Sequence, residues 1–190
     1  MKAVEPVRDK QEIERLLAHY RDSGQIRNYV LIILGLHTAL RISDILRLGW
    51  DDVYDFKRRR FRRHLTISEQ KTGKAKTIPI HTAVVAALTL YVNVAKPGDP
   101  LILNEQTDKA ISRIHAYRII RAAGEAAEIE ARVSPHSLRK TLGYQSWKSG
   151  KRLPVIMKVY NHSSEAVTQR YLGITQDDIN AIYLDLELTG

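Results

Sequence analysis

The amino-acid sequence predicts a mainly α-helical domain with a small antiparallel β-sheet. Apolar residues recur along most of the chain at the i, i+3, i+4, i+7 spacing of a buried helical stripe. Near the middle, two short strand-like runs flank one turn, which is the pattern of a β-hairpin. With 190 residues the chain can form one well-filled core or two small ones. We expect a single domain over residues 1–190.

Three helices are predicted in the first quarter of the chain. The first runs from about Asp9 to Tyr20 and has Asp9 as a cap for its free N–H groups. A break over Asp22–Gly24 separates it from a second, apolar helix over Gln25–His37. A third helix is expected over Ile42–Leu48.

The predicted hairpin pairs Phe61–Ile67 with Lys76–Ile80 around a turn that contains Gly73. Lys71 and Lys74 then lie at its tip. A lysine there could reach into a DNA groove or donate a proton to a leaving oxygen, and the alternative is a solubilising turn.

The second half of the chain is predicted to be helical again, apart from a brief strand over Leu101–Leu103. Ser134 and Pro135 provide the N-cap and first residue of a helix that ends at Gly150. The other helices are expected from Thr82 onward, over Ala110–Ala127, Pro154–Tyr160 and Glu165–Tyr171, and over about residues 177–188.

The charge of the chain favours a polyanionic partner. Lys and Arg number 30 against 21 Asp and Glu, which gives a formal net charge of +9. Nucleic acid is the leading candidate, although an unrelated basic enzyme would have the same charge. Because there is no cysteine, disulfides, thiolate zinc sites and cysteine nucleophiles are excluded. No stretch approaches the roughly 18 uncharged apolar residues of a membrane span, and we expect a cytoplasmic protein.

His136 and Arg139 stand three residues apart at the start of a predicted helix and therefore share one face. Free N–H groups and the helix dipole favour phosphate at such an end. The two side chains either bind phosphate or are simply solvated on a surface helix.

Arg41 follows a long apolar segment, so its charge is expected to be partly desolvated and to need an anionic partner. That partner is either a substrate or a local carboxylate, Asp44 or Asp51.

Tyr171 is a candidate covalent nucleophile. A phenol has a pKa near 10, so it needs positive charge nearby to react at neutral pH, and Arg41 and Arg139 could supply that charge. The alternative is a core aromatic side chain that pairs with Val167 at i, i+4.

A dense basic run precedes the hairpin. It is expected to contact DNA phosphates, although charge runs are often only solvated. Its cationic members are Lys57, Arg58, Arg59, Arg60, Arg62 and Arg63.

The order of these motifs resembles the tyrosine recombinase or phage integrase family. The resemblance spans about Asp9 to Asp185 and rests on five motifs in the family's order. They are Arg41 in Leu-Arg-Ile-Ser-Asp, Lys71 in Lys-Thr-Gly-Lys, His136-x-x-Arg139, Asn-His162, and Tyr171 nine residues later.

The resemblance implies that Tyr171 attacks the scissile phosphate and forms a 3′-phosphotyrosyl bond. Arg41 and Arg139 would then bind the non-bridging oxygens as negative charge develops, and His136 would assist proton transfer at the tyrosine. Lys71 would protonate the departing 5′-oxygen. His162 would donate a hydrogen bond to the phosphate. No metal or other cofactor is expected.

Three residues depart from the family pattern. Asp44 replaces a common Glu and keeps the carboxylate. Lys140 follows the second arginine where many members have His, which either alters proton handling or adds a phosphate contact. Asn161 stands where Gly is usual, and Asn tolerates the left-handed backbone better than other non-glycine residues.

The resemblance also implies partners. The chain would act on double-stranded DNA as a tetramer and be a monomer in free solution, with the helix over 177–188 either exchanged between subunits or closing its own core. The N-terminal domain that clamps DNA in many members is not expected here, so the chain is either an excised catalytic domain or a compact member such as the fimbrial invertases. A catalytically silent DNA-binding regulator, a single-strand topoisomerase and a metal-dependent nuclease remain as alternatives.

Overall fold

The computed structural model describes residues 4–68, 73 and 75–184. Within these residues the α-helices are Lys10–Asp22 (α1), Ile26–Thr38 (α2), Ile42–Ile45 (α3), Trp50–Val53 (α4), Thr82–Tyr91 (α5), Arg113–Ala126 (α6), Pro135–Lys148 (α7), Leu153–Tyr160 (α8), Glu165–Leu172 (α9) and Gln176–Leu184 (α10). The strands are Tyr54–Asp55 (β1), Arg60–Phe61 (β2), His64–Ser68 (β3), Ala75–Pro79 (β4), Leu103–Asn104 (β5) and Lys109–Ala110 (β6). The predicted fold class, mainly α with small antiparallel sheet structure, is confirmed.

The strands form three separate two-stranded antiparallel hairpins. The predicted central hairpin is β3–β4, with Leu65 opposite Ile78. Phe61 is not part of it, because it pairs with Tyr54 in the β1–β2 hairpin. The brief strand expected at Leu101–Leu103 is displaced to β5, which pairs with β6.

Local capping sets several helix starts. The Asp9 side chain accepts a hydrogen bond from the Gln11 N–H at 2.8 Å and caps α1, as predicted. Ser112 caps α6, so this helix begins at Arg113 and not at Ala110. The third predicted helix ends at Ile45, three residues earlier than expected.

Helix α2 lies in the centre of the main core. Its residues from Val30 to Leu36 are all buried, and it contacts α1, α5 and α7. An added Cβ at Gly35 would lie 2.8 Å from the Leu138 side chain, so the small residue lets α2 approach α7 closely. This contact brings the end of α2, just before Arg41, close to the segment of α7 that carries Arg139.

A second, smaller apolar cluster joins α7, α8 and α9. Its buried members are Ala39, Ile156, Tyr160 and Leu172. Gly143 in α7 faces it, and a Cβ there would overlap the Leu172 side chain and lie 2.8 Å from the Tyr160 ring. The cluster therefore depends on a close approach of three helices. None of the helices in residues 4–68 and 75–184 is long and apolar enough to cross a membrane.

Candidate active site

Tyr171 lies in the last turn of α9, where its ring packs against the second apolar cluster. The ring centroid is 5.1 Å from that of Tyr160 and 4.8 Å from that of His162. The side chain is only half-buried. Val167 is exposed, so the alternative of a core pair between Val167 and Tyr171 does not describe this site.

Arg139 is the buried cation of the site. It lies in α7, whose start is fixed by the predicted Ser134 cap and by Pro135. Only 4% of Arg139 is exposed, and its charge lowers the pKa of Tyr171. Its Nη1 atom is buried with no hydrogen-bond partner among the described residues. A buried, unsatisfied cationic donor is costly, and an anion placed against it would remove that cost.

The charge of Arg41 affects the same two side chains as that of Arg139, namely Tyr171 and His162. It follows Ala39, which ends α2 in the left-handed conformation with φ of 53° and turns the chain into α3. The charge of Arg41 lowers the pKa of both Tyr171 and His162, as does the charge of Arg139. The fold therefore brings the two predicted arginines to one site.

The pKa of Tyr171 is set by opposing effects. Burial raises it above the ordinary value of 10, whereas the charges of Arg139 and Arg41 lower it. Burial is the largest effect, so the pKa is raised in the free protein. The expected lowering by the arginines is present, but it does not outweigh the desolvation of the phenol.

His162 follows the left-handed Asn161, whose φ is 55°. Asn161 therefore adopts the left-handed backbone conformation that it was predicted to tolerate. The His162 Nδ1 atom lies 3.1 Å from the hydroxyl of the fully buried Thr168. Burial lowers the pKa of His162, and the charges of Arg139 and Arg41 lower it further. The neutral imidazole is therefore favoured beside the two arginines.

His136 occupies the first turn of α7, one turn before Arg139, and is exposed. It lines a groove of about 1050 Å³ together with Ile42, the neighbour of Arg41. His136 and Arg139 both lie in α7, three residues apart, so they share one face of the helix as predicted. His136 is exposed to solvent and Arg139 is buried.

Lys71 and Lys74 lie outside the described residues. The hairpin that leads to them is described, and Lys76 in β4 donates a hydrogen bond from Nζ to the Val159 carbonyl at 2.8 Å. This contact holds β4 against the end of α8, three residues before His162.

Lys140 lies on the Tyr171 ring. Its Nζ atom is 5.2 Å from the ring centroid and donates a hydrogen bond to the Val4 carbonyl at 2.7 Å. Burial lowers the pKa of Lys140, an effect that Glu5 partly opposes. Lys140, which was predicted to contact DNA, is therefore half-buried beside the candidate nucleophile in the free protein.

The predicted basic run forms the turn of the β1–β2 hairpin and the segment that follows it. Its cationic side chains are exposed. Arg58 pairs with Asp55 at 3.3 Å, and Arg62 donates to the Asp51 carbonyl at 2.7 Å. These contacts fix part of the run and leave its charge accessible.

Sequence reasoning missed Tyr160 and Thr168. The Tyr160 hydroxyl donates to the Arg139 carbonyl at 2.7 Å, and the Arg139 Cζ atom lies 5.3 Å from the Tyr160 ring centroid. Tyr160 thus supports Arg139 from two sides. The spacing of Thr168 three residues before Tyr171 was the available signal, since residues i and i+3 share a helix face.

The fold and the cluster define a helical domain in which two arginines and a tyrosine share one candidate site. In agreement, residues 7–177 match the domain described as the phage integrase family. The chain is 36% identical over 183 residues to the probable integrase/recombinase YoeC of Bacillus subtilis, covering 96% of this chain and 97% of YoeC. The chain therefore belongs to the phage integrase family. The relatives to which it is similar are named as recombinases and integrases.

Solved structures with the same fold are those of XerA recombinase and of a lambda integrase tetramer bound to a Holliday junction. The TM-scores are 0.76 and 0.68, with 22% and 15% sequence identity, over 97% and 90% of this chain. The chain spans 66% and 49% of those chains. It likewise spans about half of the tyrosine recombinase XerD of Mycobacterium tuberculosis, at 51%.

Proposed function

We propose that this chain is the catalytic domain of a site-specific DNA recombinase that cleaves and rejoins strands through Tyr171. The observation that carries the proposal is the buried, unsatisfied Nη1 of Arg139, whose guanidinium lies over the Tyr160 ring that packs against Tyr171. A scissile phosphate at this position would satisfy the donor and stand next to the nucleophile. Arg41 adds a second positive charge at the same point.

The chemical steps use only groups of the chain. The Tyr171 oxygen attacks phosphorus, the bond from phosphorus to the 5′-oxygen breaks, and the phenolic proton passes to His136. Lys71 protonates the departing 5′-oxygen. Arg41, Arg139 and His162 stabilise the charge on the non-bridging oxygens. The reverse sequence, with a 5′-hydroxyl from another strand, rejoins the DNA. No co-reactant is needed, because the phosphotyrosyl bond retains the energy of the phosphodiester bond that was broken.

Affinity for DNA is assigned to cationic side chains that would bind phosphates. They are Lys57, Arg58, Arg59, Arg60, Arg62, Arg63, Lys74 and Lys140, the last once it leaves Val4. This basic surface supports binding of double-stranded DNA with a strong dependence on salt.

We also propose that the chain, as a single domain, is a monomer in solution and a tetramer on DNA. The lambda integrase assembly supports this by analogy. Tyr183 and Leu184 in α10 are both 81% exposed, which supports a contact between this helix and a neighbouring subunit.

The test uses a pool of nicked duplexes with a randomised central segment. Cleavage beside a nick releases a short 5′-hydroxyl fragment, so the covalent adduct accumulates and its DNA can be sequenced. The wild-type chain is expected to form an adduct that survives denaturation, with phosphotyrosine at Tyr171. Tyr171→Phe should abolish it, whereas Tyr29→Phe, at a partly buried tyrosine near the start of α2, should not.

Other outcomes would assign other functions. Specific binding without an adduct would indicate a silent regulator, and relaxation of plasmids that lack the selected sequence would indicate a topoisomerase. Loss of cleavage in chelator would contradict the proposal and indicate a metal-dependent nuclease.

A further inference from the structure

The carboxylate of Asp178, in the first turn of α10, collects hydrogen bonds from three separate parts of the chain. Thr175 donates from its backbone N–H at 2.9 Å and from its hydroxyl at 3.2 Å. Tyr144 in α7 donates its hydroxyl at 2.8 Å. Arg8, which precedes α1, donates Nη1 at 2.9 Å. Only 7% of the Asp178 side chain is exposed, so these are desolvated, charge-assisted bonds.

Arg8 is itself held against α7. Its Cζ atom lies 4.6 Å from the Tyr144 ring centroid, and its carbonyl accepts a hydrogen bond from the Gln145 side chain at 2.7 Å. The preceding Val7 N–H donates to the Thr141 hydroxyl at 2.9 Å. Arg8 also donates to the carbonyl of Gly173, so one guanidinium bridges Asp178 and the backbone just after α9.

These contacts fix the segment through which the chain leaves the nucleophile helix. Tyr171 is followed by Leu172, the last residue of α9, and then by the turn from Gly173 to Thr175. That turn is bound to Asp178, which is bound to α7, the helix that supplies Arg139. The geometry therefore ties the position of Tyr171 to that of Arg139 from the C-terminal side of α9.

We propose that Asp178 is a positioning residue for Tyr171, with Arg8 and Tyr144 as its partners, an inference that rests on the function proposed above. Asp178 acts through the backbone of Gly173–Thr175 and through α7, not by contact with the reacting phosphate. Misplacement of a nucleophile by about 1 Å can cost about 100-fold in rate, so a modest loosening of this turn is expected to slow cleavage.

The network requires a charged carboxylate. Burial alone would raise the pKa of Asp178, but the hydrogen bonds from Thr175, Tyr144 and Arg8 outweigh it and the pKa is lowered. Asp178→Asn keeps the shape but removes the charge, and its amide nitrogen cannot accept a hydrogen bond. Tyr144→Phe removes one donor and leaves the ring in place.

The test uses the full chain and a nicked duplex selected as above. Asp178→Asn should lower the single-turnover cleavage rate at saturating DNA about tenfold, on the basis of the misplacement cost, with an unchanged Kd for the duplex. Tyr144→Phe should show a smaller loss. Amide hydrogen exchange over residues 172–175 should be faster in both. The matched control is Glu165→Gln, which neutralises an exposed carboxylate in the first turn of α9 and should change neither rate nor exchange.

Two results would overturn the inference alone, and a third would overturn the proposed function as well. A folded Asp178→Asn chain that cleaves at the wild-type rate excludes a positioning role. A loss that appears only in Kd assigns Asp178 to DNA binding instead. If the wild-type chain forms no adduct with any duplex, the proposed function fails and this inference fails with it.

Discussion

The guanidinium of Arg139 is stacked over Tyr160, with 5.3 Å between Cζ and the ring centroid, and its charge lowers the pKa of Tyr171. The same side chain is 4% exposed and has a buried Nη1 without a partner in the described residues. One cation thus acts electrostatically on the candidate nucleophile, is supported by an aromatic ring and retains an unused donor. Such a preorganised arrangement is expected to stabilise negative charge that develops on a transferring phosphate.

Arg139→Lys is expected to lower the adduct-forming rate about 100- to 1000-fold, since removal of one preorganised donor has an effect of that size. Lysine keeps the charge but lacks the planar fork of donors with which a guanidinium binds phosphate. The rate is measured at saturating nicked duplex. Arg170→Lys, at the exposed arginine beside Tyr171, is the matched control and should cleave normally. Equal rates in the two variants would contradict the role of Arg139.

Thr168→Val is expected to slow cleavage about tenfold through the imidazole of His162, which is less than the roughly 100-fold or more that loss of a whole acid–base group costs. The Thr168 hydroxyl donates to the Ser164 carbonyl at 3.1 Å and lies 3.1 Å from His162 Nδ1, so it fixes the ring. Valine keeps the shape and removes the hydroxyl, whereas Thr168→Ser keeps the hydroxyl. Cleavage kinetics of both variants, compared with their thermal unfolding, separate the two effects. Equal loss in the serine and valine variants would indicate packing and not the hydrogen bond.

Local signals in the sequence were sufficient for much of the fold and part of the site. The capping residue Ser134 and Pro135 predicted the start of α7, and the three-residue spacing then placed His136 and Arg139 on one face. The spacing of apolar residues predicted α1 and α2 to within a few residues. These features depend on neighbours in the sequence, so no tertiary information was needed.

The remaining features depend on contacts between distant segments. Ala39 adopts a left-handed conformation although alanine gives no turn signal, because buried packing fixes the end of α2. Tyr160 supports Arg139 across 21 residues, and Arg8 meets Asp178 across 170. Periodicity cannot reveal such pairs, because it reports which face is buried and not what lies opposite.

The stacked pair of His37 and His81 predicts a loss of stability in acid. Their ring centroids are 4.6 Å apart, and burial, followed by the charge of His81, lowers the pKa of His37 from 6.5. The unfolded chain then binds more protons than the folded chain as the pH falls through 6.5. The free energy of unfolding should therefore be fully retained above this pH and decrease below it, toward the lowered pKa of the folded state.

Urea unfolding at several pH values measures this slope. His37→Gln should flatten it, although His162, whose pKa is also lowered, contributes in the same direction. His64→Gln, at an exposed histidine in β3, is the control and should keep the wild-type slope. An unchanged slope in His37→Gln would show that the buried imidazole is not its source.

The Lys71→Ala variant is expected not to cleave an ordinary duplex. It is expected to cleave a duplex in which sulfur replaces the scissile 5′-oxygen. A thiolate is a better leaving group than an alkoxide and needs no proton from an acid, so the substrate removes the requirement for the proposed role. Arg139→Lys should stay impaired on both duplexes, because phosphate stabilisation is needed with either leaving atom. Lys148→Ala, at an exposed lysine near the end of α7, controls for the loss of one positive charge. If Lys71→Ala is equally slow on both duplexes, Lys71 does not act as the general acid, and another cation must protonate the 5′-oxygen.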